Sequence, residues 1–147
     1  MRVGTSDLAR VSHQVARCVR ARREIQAAYV FGSVATGRSR PDSDVDVAVL
    51  LARPLRADRR LSYRLKLMSD LGSALGRSDI EVVVLNEAPP LLAHRVLSKG
   101  RLVFERSPSA RVRFQVRTAS RYADLLPMFE THIHYLKKHV REGRVVG

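Results

Sequence analysis

The chain contains no tryptophan, a single cysteine, and aromatic residues amounting to 5% of its 147 positions. Cys18 alone excludes an internal disulfide and any cysteine-rich zinc site, and a lone thiol suits a reducing cytoplasm. No uncharged apolar run approaches the ~18 residues a membrane span needs, and the opening Met1-Arg2-Val3-Gly4-Thr5-Ser6-Asp7 has no apolar signal stretch. The expectation is a cytoplasmic protein without a membrane partner. Acidic residues are scarce too: 14 Asp plus Glu face 27 Lys plus Arg, a formal charge of +13. The excess lies mainly on the flanks, with +4 over residues 1–31, +3 over 32–105 and +6 over 106–147. Nucleic-acid contact is compatible with that balance but not favoured, because Arg outnumbers Lys 23 to 4 and a single arginine then says little.

What remains is the composition of one globular domain, with 45% hydrophobic and 28% charged residues. Leu8, Val11, Val15 and Val19 recur at helical spacing behind Thr5 and Ser6, either of which suits a cap, and predict a helix to about Arg23. Ala27 to Phe31 and Val45 to Leu51 read as strands joined through the turn-rich stretch Gly37 to Ser43. Leu61, Leu65, Met68, Leu71 and Leu75 predict a second helix closed within Gly72 to Gly76, with Gly72-Ser73 itself read as a turn. A strand over Ile80 to Leu85, a helix opened by Pro89-Pro90 and stopped by Gly100, and a short strand over Leu102 to Phe104 complete the pattern. After Pro108 the residues Val112, Val116, Ala119, Ala123, Leu126, Phe129, Ile133, Leu136 and Val140 form a seam spaced by three or four. It predicts one long helix, or two meeting at Pro127, where the missing N–H is expected to end or kink the run. The division expected is a core over 1–107 and a helical extension over 108–147, its first half packed on the core and its second half available to a partner.

Chemistry concentrates between Tyr29 and Val49. Gly32-Ser33 follows a strand; a glycine there lets backbone approach a ligand closely, and serine adds an N–H and a hydroxyl, which is phosphate-binding chemistry. Asp44 and Asp46 stand two apart at the start of the next strand, so both carboxylates share one face while Val45, Val47 and Val49 take the other. Two hard oxygen ligands converging beside a phosphate cradle suit Mg²⁺. Either half alone is commonplace, since a Gly-Ser pair is usually a turn and Asp-x-Asp is usually solvated. Their joint occurrence, with ten residues between Ser33 and Asp44 and apolar strands on both sides, is what carries the reading. Other clusters carry less. His132, His134 and His139 are spaced so that they do not share a helix face, and Arg17, Arg20, Arg22 and Arg23 read as a solvated helix surface.

Gly32-Ser33-x10-Asp44-x-Asp46 resembles the signature of the DNA polymerase β-like nucleotidyltransferase superfamily. The resemblance implies an α+β fold, a small mixed sheet flanked by helices, with the long helical tail appended. It also implies a third carboxylate on a neighbouring strand, for which Glu81 matches by position, although Asp79 shares its parity and relatives usually carry aspartate. Thr36 stands where an arginine is common, leaving Arg38 and Arg40 as the nearest candidates for the nucleotide phosphates. Over nearly the whole chain, Leu85-Asn86-Glu87-Ala88-Pro89-Pro90, Gly100-Arg101-Leu102-Val103-Phe104-Glu105-Arg106 and the basic tail are similar to the minimal nucleotidyltransferase antitoxins, the MntA family.

Such a resemblance implies transfer of AMP from ATP to a tyrosine of a HEPN-domain ribonuclease toxin. Asp44, Asp46 and Glu81 would be the catalytic and Mg²⁺-ligating residues, and Gly32, Ser33, Arg38 and Arg40 would meet the nucleotide. Two alternatives stay open from the sequence: an antitoxin that acts by binding alone, and nucleotide transfer to RNA or a small hydroxylated molecule.

Overall fold

The computed structural model describes residues 5–35 and 44–141. Along them run α1 (Thr5–Arg20), β1 (Ile25–Phe31), β2 (Val45–Leu51), α2 (Arg60–Leu75), β3 (Ile80–Val84), α3 (Pro90–Lys99), β4 (Arg101–Glu105) and α4 (Pro108–Arg141). Short 3-10 turns over Ala57–Arg59 and Leu85–Glu87 precede α2 and follow β3. The order is the expected one, with strand ends that differ from expectation by no more than two residues.

Helix α1 already includes Thr5 and stops at Arg20, short of Arg23. There the Arg22 N–H donates to Val19 O and the Ile25 N–H to Arg22 O, each at 3.0 Å, so the chain turns directly into β1. Arg106 fastens this corner, its guanidinium donating to Ile25 O at 3.0 Å and to Arg20 O at 2.7 Å. Gly72-Ser73 is not a turn but lies inside α2. The turn comes at Gly76, in the left-handed region at φ 67°, and the N–H groups of Gly76 and Arg77 both close on Gly72 O. A Cβ on Gly72 would meet Arg77 O at 2.7 Å, so its small size is needed for the returning chain rather than for a bend.

Four strands form one sheet in the order β3-β2-β1-β4. β1 is antiparallel to both β2 and β4, whereas β2 and β3 run parallel, joined by the crossover through α2. Alternation along β2 assigns each residue to a layer. Val45, Val47, Val49 and Leu51 are buried against α1 and α2, where Val11, Val15, Val19, Leu67 and Leu71 complete the larger core. Ala48 and Leu50 point the other way, into a smaller cluster with Ala27, Tyr29, Ala93, Val96 and Phe114, beneath α3 and α4.

Pro127 does not end α4, which is one helix of 34 residues, about 51 Å at ~1.5 Å per residue. The residues it buries are Phe114 and Thr118, not the expected Val112 and Val116, which are 47% and 64% exposed. The apolar seam therefore faces away from the sheet from its first turn, because the large aromatic, offset by two residues, wins the contact with Leu50 and Ala27. Tyr122 adds a second anchor, stacked on His94 of α3 with ring centroids 3.6 Å apart and planes 1° from parallel.

At the far end of β2, the Asn86 carboxamide donates to Leu51 O at 2.9 Å and accepts from Leu51 N–H at 2.8 Å. These two bonds extend the sheet by a side chain and tie the turn after β3 to the buried end of β2. Asn86→Ala leaves a buried donor and acceptor unmet, and is expected to lower stability in urea or thermal unfolding by ~1–3 kcal/mol. An unchanged midpoint would mean that the two bonds are replaceable by water.

Candidate active site

Both halves of the Gly-Ser and Asp-x-Asp pattern come together at one end of the sheet. Residues 32–35 turn out of β1, with Gly32 at φ 75°, a left-handed conformation that a side chain disfavours. Val34 is buried in the larger core and pins this turn to it, a role that one valine in a short turn did not advertise. Across the strand pair, Phe31 is matched with Asp46, so the turn sits directly beside that carboxylate. A Cβ on Gly32 would lie 2.3 Å from Asp46 Oδ2. The glycine is thus required twice, by backbone conformation and by the carboxylate resting against it.

On the other side of β2, the parallel register pairs Asp46 with Glu81 and Val45 with Ile80. Asp46 and Glu81 are therefore neighbours on one sheet face, with Asp44 two residues earlier on the same side. Burial raises the Asp46 pKa above its ordinary value, and the nearby charges of Asp44 and Glu81 raise it further. Each contribution opposes charge on Asp46, as expected where carboxylates gather on one face. Hard oxygen donors gathered in this way fit a divalent cation such as Mg²⁺, whose charge would favour their ionised forms. Among the described residues, no three such side chains are already closed into a metal cage; the three carboxylates share a face and a field.

Asp79, the rival for the third position, is otherwise engaged. Arg77 grips it through two bonds, Nε to Oδ1 at 2.8 Å and a terminal nitrogen to Oδ2 at 2.6 Å. That clamp lowers the Asp79 pKa. Asp79 also gives its backbone carbonyl to the Val45 N–H at 2.9 Å, so it anchors the mouth of β2, and the Arg77 that holds it also feels the charge of Asp44. Arg77 was not singled out in the sequence; the signal was an arginine two residues ahead of an aspartate, just after a helix-capping glycine. Ser33 lies in the described turn, whereas Thr36, Arg38 and Arg40 lie outside the described residues.

A turn of phosphate-binding type against paired carboxylates on a mixed sheet is the arrangement of a nucleotidyl-transferring site. A family model described as polymerase beta, nucleotidyltransferase, matches residues 13–109. The chain belongs to that family. The protein adenylyltransferase MntA of Shewanella oneidensis is 32% identical over 102 residues, 69% of each chain. Among solved structures, a toxin–antitoxin complex with AMP-PNP is similar at a TM-score of 0.72 and 28% identity, covering 86% of this chain and 98% of that one. A complex of a tri-AMPylated Shewanella oneidensis HEPN toxin with its MNT antitoxin is similar at 0.68 and 25% identity, covering 88% and 98%. This nucleotidyltransferase therefore matches its relatives through the four-stranded core and well into α4.

Gly32→Ala tests the packing at the site. The added methyl would push the Asp46 carboxylate aside, so nucleotide transfer should fall at least ~10-fold while the left-handed backbone alone costs only ~1–2 kcal/mol of stability. Activity measured beside a melting curve distinguishes the two, and an active variant would show that Asp46 works from another position.

Proposed function

We propose that this nucleotidyltransferase moves AMP from ATP to a tyrosine of a HEPN-domain ribonuclease toxin and thereby acts as its antitoxin. The observation that carries the reading is the in-register pairing of Asp46 with Glu81, beside a glycine turn whose missing Cβ the Asp46 carboxylate occupies. Support also comes from the relatives, one named for protein adenylylation and others solved with toxin and nucleotide. A free, half-buried Cys18 suits the cytoplasm as its compartment, and among the described residues no helix is long and apolar enough to cross a membrane.

In this reading Asp44, Asp46 and Glu81 hold Mg²⁺, which when bound offsets triphosphate charge and makes the α-phosphorus a better electrophile. The Gly32-Ser33 turn receives the terminal phosphates, with Arg38 and Arg40 following it in sequence. The tyrosine oxygen forms its bond to the α-phosphorus as the bond to the α–β bridging oxygen breaks. Pyrophosphate departs with that electron pair, and Glu81 takes the phenolic proton. The chain's part is chiefly to align the groups and to exclude competing charge.

Intact mass of the toxin after incubation with this protein, Mg²⁺ and each nucleoside triphosphate tests the assignment directly. ATP should add whole AMP increments to the toxin. Asp44→Asn and Asp46→Asn should each abolish them while the fold persists, since Asp44 is exposed and Asp46 only partly buried, and neither packs in a core. Glu81→Gln should reduce turnover far more than Asp79→Asn, whose partner Arg77 is structural. A toxin neutralised with no change in mass would favour an antitoxin that acts by binding alone.

The exposed seam of α4 is the surface we assign to the toxin. Beyond Leu126 no described residue is buried, and Met128, Ile133, Tyr135, Leu136 and Val140 stand open beside Lys137, Lys138 and Arg141. An apolar stripe edged by cations fits a partner with an apolar groove and an acidic rim. Truncation after Pro127 should therefore weaken toxin binding much more than ATP binding. A large fall in melting temperature together with loss of ATP binding would show instead that the segment belongs to the core.

A further inference from the structure

About 13 Å along β2 from Asp46, four residues at ~3.3 Å each, the same sheet face opens into a cleft of about 390 Å³ beneath α4. Its floor is apolar, formed by Leu50, Pro54 and Phe114, and its wall is basic, formed by Arg113, Arg117 and Arg121. These arginines recur every four residues, so their side chains follow one another along the helix at about 6 Å intervals. The ion pairs among the described residues occupy Arg10, Arg22, Arg56, Arg60, Lys66, Arg77 and Arg111, and none involves this row. Arg111, one turn closer to the start of the helix than Gln115, is by contrast held by Glu105, which sets the row apart from its own neighbour. Arg117 lies over the Phe114 ring at 5.8 Å, which braces the middle guanidinium above the apolar floor.

Three uncompensated guanidiniums in line, over a floor on which a flat ring can lie, match a chain of phosphates carrying bases. Arginine forks suit phosphate oxygens in particular, and about one helical turn between them suits successive phosphates of a strand. We infer that this cleft binds single-stranded nucleic acid, with three consecutive phosphates on Arg113, Arg117 and Arg121 and a base over Leu50 and Pro54. The site lies at the opposite end of β2 from the carboxylates, and its occupancy requires no nucleotide transfer.

A protein of charge +13 binds polyanions without any site, so the experiment must separate this cleft from bulk charge. A fluorescent 12-nucleotide oligouridylate is titrated by anisotropy across 50–300 mM salt against the full chain. It is also titrated against the Arg113→Gln, Arg117→Gln, Arg121→Gln triple variant and against a charge-matched Arg17→Gln, Arg20→Gln, Arg23→Gln control. The cleft variant should lose about 10-fold in affinity and have a salt slope shallower by about 2, since each strand phosphate contributes ~0.7. The control should change by less than about 2-fold. Arg121→Gln alone, farthest from Phe114, should flatten the slope by ~0.7 and keeps the test open should the triple variant unfold. Equal losses in the two triple variants would overturn the inference, as would an unchanged slope in the cleft variant. So would displacement of the strand by free ATP at comparable affinity, which would make the cleft a mononucleotide site.

Discussion

If β3 slipped by one residue against β2, Glu81 would turn into the core against α2 and Ile80 would face the cleft. The candidate site depends on the parallel pairing of Asp46 with Glu81 being held in register. What holds it is mostly apolar: Ile80, Val82 and Val84 alternate into the same layer as Val45, Val47 and Val49, so a slip would expose an entire row of valines. Polar clamps secure both ends of this pairing. Asp79 closes one with its carbonyl on Val45, and Asn86 closes the other with its carboxamide on Leu51. The side of the sheet that stabilises the protein thus dictates where the other side keeps its charges.

That division explains an imbalance between the layers. The layer with α1 and α2 is continuous and rich in branched aliphatics, whereas the opposite layer is small and relies on alanines with one aromatic from α4. The cost falls on Asp46, half-buried among like charges, and the thick core behind it is what keeps that unfavourable cluster in place.

Much of this is legible in the sequence. The Val-x-Val alternation of β2 set the face of Asp44 and Asp46, and ten residues between Ser33 and Asp44 indicated that turn and strand would meet. What could not be read was long-range choice. Asp79 and Glu81 share a parity, and it is the pairing of Glu81 with Asp46 across the strands, together with the clamp of Arg77 on Asp79, that separates them. Along α4 the periodicity of Val112, Val116 and Ala119 was real but did not say which face meets the sheet; Phe114, single and out of phase with the seam, takes that contact because one buried ring outweighs two valines. Helix ends also escaped, since Gly72 looks like a stop in sequence yet serves as the carbonyl that the true stop closes on.

Pro127 carries a consequence for how α4 behaves as a thermodynamic object. It has no N–H to give the carbonyl of Ala123, so the chain of backbone bonds is interrupted midway, although Thr131 Oγ1 returns a bond to the carbonyl of Pro127 at 2.9 Å. Before the break, Phe114, Thr118 and the Tyr122 stack couple the helix to the global unfolding of the domain. After it, about one short helix remains with no buried residue among those described, near the length at which isolated helices are marginal in water. Amide hydrogens in the two halves should then exchange by different openings, global in the first and local in the second, and whatever covers the second half must also supply the free energy that orders it.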